Sequence, residues 1–163
     1  MRDSDTIKTV LTERAPAAAG HYAQAKVLDG LVYVSGQLPV RRNGEHGHEA
    51  AFDDQAQQAI DNLLAVVTAA GSSPQRVLKV TAYIVDVKNW PRFNAIYAAA
   101  FGDSRPARSV VPVPELHHPR FLSWTGVSVR FCGFLARRND EAGYILLGGA
   151  TPLGSRKNVQ SRP

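Results

Sequence analysis

The chain has 163 residues and a single cysteine, Cys132. No internal disulfide can form, and a buried, reduced thiol is the expected state. Long apolar runs are missing too: none approaches the roughly eighteen residues that a membrane span requires. The polar opening Met1-Arg-Asp-Ser-Asp-Thr lacks the apolar segment of a signal peptide. These absences point to a cytoplasmic protein that does not engage a membrane. There is no phosphate loop and no dinucleotide fingerprint. Ser35 lacks the Gly-x-Ser-x-Gly elbow of a nucleophilic serine. Cys132 has only Arg130 as a basic neighbour on its side of an apolar run, which suits a structural rather than a reactive thiol. His46 and His48 share one Gly-flanked loop and His117-His118 another, with no cysteine or spaced carboxylate to complete a ligand set, so no metal is expected.

What is present is ordinary globular composition, with 44% apolar and 20% charged residues and a net charge of +5. The length suits one domain. From Arg137 onward, Arg137, Arg138, Arg156, Lys157 and Arg162 stand against Asp140 and Glu141, so this end carries +3 of the +5. A basic excess concentrated in a tail argues against a nucleic-acid-binding core. Beyond Arg137 the periodic patterns stop, and Gly, Pro, Ser and Asn dominate. The expected organisation is a domain over residues 1–137 followed by a basic, poorly ordered tail over 138–163.

Along the chain, Ile7–Leu11 reads as a short strand. Ala25–Leu28 and Leu31–Val34, joined by Asp29-Gly30, carry the signature of a hairpin with a type I′ turn. Gly36, just after the second of these runs, suggests a bulge or a close backbone approach. Glu49–Ala70 is the clearest helix, with Phe52, Ala56, Ala59, Ile60, Leu63, Val66, Val67 and Ala70 at helical spacing and Gly71 at its end. Val77–Val87 reads as a long strand with Leu78, Val80, Ala82 and Ile84 on one face. Asn89–Phe101 reads as a second helix with Pro91 in its first turn and the stripe Phe93, Ile96, Tyr97 and Ala100. Phe121–Leu135 reads as a last strand. The order β, ββ, α, β, α, β, β defines an α+β domain. Two helices cover only one face of a five- or six-stranded sheet, yet the strands carry apolar residues on both faces. Another copy of the chain is the expected cover, which predicts a closed homo-oligomer.

Arg105-Pro-Ala-Arg-Ser-Val-Val-Pro-Val113 places a permanent cation, Arg108, at the entry of an apolar β-branched run. Pro112 removes a ladder donor and confines such a strand to a sheet edge or a bulge. An isolated arginine there reads first as a surface ion pair. Tyr22 after a loop, Ser35-Gly36 at one strand end and Arg108-Ser109 at another also form a set suited to a small carboxylate, because the guanidinium fork matches that group.

Five segments carry a resemblance that covers about residues 5–137. They are Ala15–Tyr22, Tyr33–Pro39, Ala59–Leu63, Asn94–Tyr97 and Arg105–Ser109, and they stand in the order found in the RidA (YjgF) family. The resemblance implies a chorismate-mutase-like mixed sheet with two helices on one face, assembled as a homotrimer with sites between subunits. It implies hydrolysis of reactive enamine or imine acids, such as 2-aminoacrylate or 2-iminobutanoate, to a 2-keto acid and ammonia without a cofactor. In that scheme Arg108 holds the substrate carboxylate, Tyr22, Ser35 and Gly36 line the cleft, and Val110 contributes backbone where relatives often have Cys. The chain departs from the pattern at Ser123, which stands where the active branch carries a water-positioning Glu. Serine is a poor base at neutral pH, so a related reaction on another small carboxylate, or a non-catalytic trimer that only binds one, is the competing expectation. Glu115, in the loop after the Arg108 strand, is the carboxylate that could reach in instead.

Overall fold

The computed structural model describes residues 6–47, 49–114, 116 and 129–137. Within them the chain forms β1 (Lys8–Val10), β2 (Ala25–Leu28), β3 (Leu31–Val34), α1 (Phe52–Ala69), β4 (Val77–Val85), α2 (Trp90–Phe101), β5 (Ala107–Val113) and β6 (Val129–Arg137). One six-stranded mixed sheet results, in the order β1-β2-β3-β6-β4-β5. Only β4 and β5 pair in parallel; the other neighbours are antiparallel. The expected run Phe121–Leu135 is observed as β6 from Val129, and its first half lies outside the described residues. So do His48, Glu115, His117, His118, Ser123 and the 138–163 tail.

Local chemistry accounts for the boundaries. Asp29 and Gly30 take φ of 49° and 72°, the pair of left-handed residues that a type I′ turn requires. α1 begins with Asp53 and Asp54 in its first turn, where the macrodipole favours anions, and ends before Gly71 at φ 78°. Its anticipated apolar stripe is buried from Phe52 to Ala70. Truncating a fully buried member such as Leu63 to Ala is expected to cost about 2–5 kcal/mol. α2 buries Phe93, Tyr97 and Phe101. Arg92 ties the two helix starts together, donating to Asp53 at 2.9 Å and lying 5.4 Å over the Phe52 ring.

Two expectations for β4 need correction. The strand ends at Val85 rather than Val87, because Asp86 takes φ of 61° and its side chain accepts from the Lys88 N–H, turning the chain into a 3₁₀ turn. The inward face also starts differently. Register shifts against β6 between Val77, Lys79 and Thr81 interrupt the alternation. Val77 and Val80 are therefore both buried, while Leu78 is 46% exposed. No bulge falls at Gly36, which lies just past the paired part of β3 without a positive φ.

Both helices pack on one face of the sheet, where Val27, Val32, Val34, Val80, Ala82 and Ile84 join α1 and α2 in a single core. The other face carries Tyr33, Tyr83, Val85, Val111 and Lys79, all at least partly exposed. Among the described residues nothing in the chain covers it.

Candidate carboxylate site

β5 is the edge of the sheet, paired on one side with β4 alone. The proline-broken run is therefore an edge strand, as Pro112 requires. Arg108 is registered with Val80 and Val110 with Ala82, both inward-facing residues of β4. Arg108 and Val110 thus share the helix-covered face. Val110 packs against the core, and Arg108, half-buried at the rim, meets α2. Ser109 takes the opposite face, where its hydroxyl receives a hydrogen bond from the Lys79 ammonium at 2.8 Å.

Among the described residues Arg108 forms no ion pair; its partners come from α2. Nη2 donates to the Asn94 carboxamide oxygen at 2.8 Å, and the guanidinium carbon lies 4.6 Å over the Tyr97 ring. Among the described residues one N–H of the five-donor fork is engaged this way. Burial pushes the Tyr97 phenol up to about 12 from 10.0, against the opposing pull of the Arg108 charge.

Tyr22, Ser35 and Gly36 form a second group. Ser35 donates from its backbone to the Gln24 carbonyl at 2.9 Å and from its hydroxyl to the Ala23 carbonyl at 2.6 Å. This sets the end of β3 beside the residues that follow Tyr22. Tyr22 itself is 52% exposed; its N–H bonds the Gly20 carbonyl, and its phenol oxygen accepts from Ala19 N–H at 3.3 Å.

Two buried amides that the sequence reading gave no role build this region. Gln24, 3% exposed, accepts from Thr12 N–H at 2.6 Å and donates to the carbonyls of Thr12 and Pro16 at 3.0 and 2.7 Å. It organises the loop leading to Tyr22. Asn62 of α1 donates to the Leu38 and Val40 carbonyls at 2.9 and 2.8 Å and pins the segment after Gly36. A polar residue amid the apolar stripe of α1 was the available signal for Asn62; nothing comparable marked Gln24.

The two groups do not meet within one chain. Val34 is paired with Phe134, and Val80 lies opposite the same stretch of β6, so Arg108 and Ser35 stand at similar levels in the sheet. They are separated by β6 and β4, three strand spacings or about 14 Å. Arg108 with Val110 forms one group at the β5 edge, and Tyr22 with Ser35-Gly36 forms another near the end of β3. Among the described residues no group of three or more His, Cys, Asp or Glu comes together as a metal cluster. No described helix is long and apolar enough to cross a membrane.

An α+β domain with two helices on one sheet face and an arginine presented at the sheet edge defines the class. A family model described as Endoribonuclease L-PSP matches residues 12–122. Protein HMF1 of Saccharomyces cerevisiae is 39% identical over 111 residues, 68% of this chain and 85% of that protein. The 2-iminobutanoate/2-iminopropanoate deaminase of Escherichia coli is 37% identical over 127 residues, 76% of this chain and 98% of that one. The crystal structure of Escherichia coli TdcF with bound serine superposes with a TM-score of 0.68 at 33% identity, over 80% of this chain and 98% of that chain. The chain belongs to this family, that of the RidA (YjgF) proteins, and has its fold.

Proposed function

We propose that this protein is a cytoplasmic homotrimer that hydrolyses reactive enamine or imine acids of the 2-aminoacrylate and 2-iminobutanoate type. The observation that carries this reading is Arg108: a guanidinium set at a sheet edge and held by neutral partners, with one N–H of its fork engaged among the described residues. Two findings support it further. The Escherichia coli relative bears the name of an imine deaminase, and TdcF was solved with serine, a small amino acid whose carboxylate would suit such a fork.

The chemistry requires little machinery. Water adds to the imine carbon, the resulting carbinolamine loses its C–N bond, and the 2-keto acid and ammonia leave. Arg108 holds the carboxylate and fixes the imine carbon in place, and positioning alone accelerates a reaction that already proceeds in water. Tyr22 and Ser35-Gly36, supplied by a neighbouring copy, close the cleft, since within one chain the β3 end that carries Ser35 stands about 14 Å from Arg108. Ser123 hydrogen-bonds the water. The step needs no cofactor.

Ser123 also favours a second reading. A serine in place of a positioned general base typically forgoes a factor of about 10²–10⁴, which leaves a trimer that binds small carboxylates without turnover. Coupling the protein to a dehydratase that emits 2-aminoacrylate separates the two. Hydrolysis predicts faster keto-acid release than the dehydratase gives alone, rising further with Ser123→Glu. No acceleration by either form, with 2-keto acids still bound, leaves the binding protein.

A further inference from the structure

Tyr97 is an odd residue for its place. It is 6% exposed, and among the described residues its hydroxyl has no hydrogen-bond partner. The hydroxyl thus does not fix the residue's place, and the ring is what the surroundings use. Phe93, Tyr97 and Phe101 recur at four-residue spacing, with Tyr97 stacked on Phe101 at 4.3 Å and tilted against Phe93 at 5.8 Å. This aromatic ridge of α2 faces the entry of β5. The Arg108 guanidinium carbon lies 4.6 Å from the Tyr97 centroid and 6.0 Å from that of Phe93. Asn94, one turn before Tyr97, accepts from Nη2 at 2.8 Å.

We propose that Tyr97, together with Asn94, is a positioning residue for Arg108, resting on the reading of Arg108 as the carboxylate anchor. The ring fixes where the guanidinium stands, because a cation is drawn to the face of an aromatic quadrupole. The Asn94 oxygen fixes how the fork is turned in its plane. A long arginine side chain otherwise samples many rotamers, and freezing it weakens ligand binding. Here it is frozen before the ligand arrives. Asn94 and the ring are neutral, so the positive charge is held without being cancelled. An acid in either place would have occupied the fork that a carboxylate needs.

The test is titration of the full chain with 2-oxobutanoate, read beside the Arg108 Nε–H resonance in ¹⁵N-resolved NMR. In the unaltered protein that resonance carries an upfield ring-current shift. Tyr97→Leu loses the shift and binds roughly tenfold more weakly. Tyr97→Phe, which keeps the ring, restores both, a pattern that a requirement for the hydroxyl would not give. Asn94→Ala alters an exposed residue and weakens binding severalfold with the ring-current shift retained. In turnover, these losses fall on KM rather than kcat. If Tyr97→Leu does not fold, the resonance in the unaltered protein and the Asn94→Ala titration decide. Absence of the shift, or wild-type affinity in both Asn94→Ala and Tyr97→Leu while Arg108→Ala does not bind, overturns the proposal. Unchanged binding by Arg108→Ala overturns the carboxylate reading itself.

Discussion

Arg108 donates to Asn94 at 2.8 Å across the gap between the sheet edge and α2, and no described carboxylate shares its charge. A guanidinium in this position is held in place by Asn94 and Tyr97 with no described carboxylate to neutralise it. That combination differs from the surface ion pair that an arginine on an edge strand ordinarily makes.

The fork matters as much as the charge. Arg108→Lys keeps a cation but offers a point charge in place of paired N–H donors, and it lacks the planar group that lies over Tyr97. Binding of 2-oxobutanoate is expected to weaken by about 10- to 100-fold, the scale of a charged hydrogen bond. Calorimetric titration at two salt concentrations checks this. An exposed ion pair would be strongly screened, whereas the half-buried contact is expected to depend less on salt.

Tyr97 makes stability fall at high pH. Its folded-state pKa of about 12 lies above the ordinary 10.0. A raised folded pKa gives stability that is fully present below pH 10 and is lost as pH rises through 12. The amount at stake is on the order of 2–3 kcal/mol. Urea midpoints measured from pH 8 to pH 11.5 are expected to drop less steeply in Tyr97→Phe than in the unaltered chain. At neutral pH the same substitution removes a buried, unpaired hydroxyl and is expected to leave stability unchanged or higher.

Gln24 is expected to hold the Tyr22 and Ser35-Gly36 group in shape. Gln24→Ala leaves the Thr12 and Pro16 backbone groups without their partner and should cost about 2–3 kcal/mol. Urea unfolding at fixed protein concentration measures it, since any assembly would make the midpoint depend on concentration. The Thr12–Pro16 backbone should also gain hydrogen exchange, with β4 and β5 unaffected. Asn62→Ala should act likewise on the segment from Leu38 to Val40.

Much of this fold was readable because each element satisfied a local rule without help from distant parts of the chain. The Asp29-Gly30 turn, the α1 stripe and the edge position forced by Pro112 are of that kind. What escaped depended on pairings remote in sequence. Leu78 and Val77 exchange faces because of a bulge against β6, more than fifty residues away. Gln24 looks like any polar residue at a strand entrance until the Thr12–Pro16 loop folds over it. Arg108 was legible as a candidate anchor from its motif. Tyr97 reads from periodicity as part of the core stripe, and lies in the Asn94–Tyr97 segment of the resemblance, but periodicity reports which face a residue is on and not what approaches from a neighbouring strand.

The separation of the two groups makes the last prediction the most direct. If the cleft is closed between copies of the chain, Arg108 of one copy works with Tyr22 and Ser35 of the next. A protein carrying Arg108→Ala and another carrying Tyr22→Ala should each be impaired when pure. Refolded together at equal amounts, they should regain function, because a site formed by the intact Arg108 of one chain and the intact Tyr22 of the other contains neither substitution. Random cyclic assembly places roughly a quarter of the sites in that state, so recovery near a quarter of the unaltered protein is expected in 2-oxobutanoate binding. A site contained within one chain would give no recovery, since every chain in the mixture is damaged. The geometry favours recovery: β6 and β4 stand between the two groups, and a side chain reaching over them would have to cross about 14 Å.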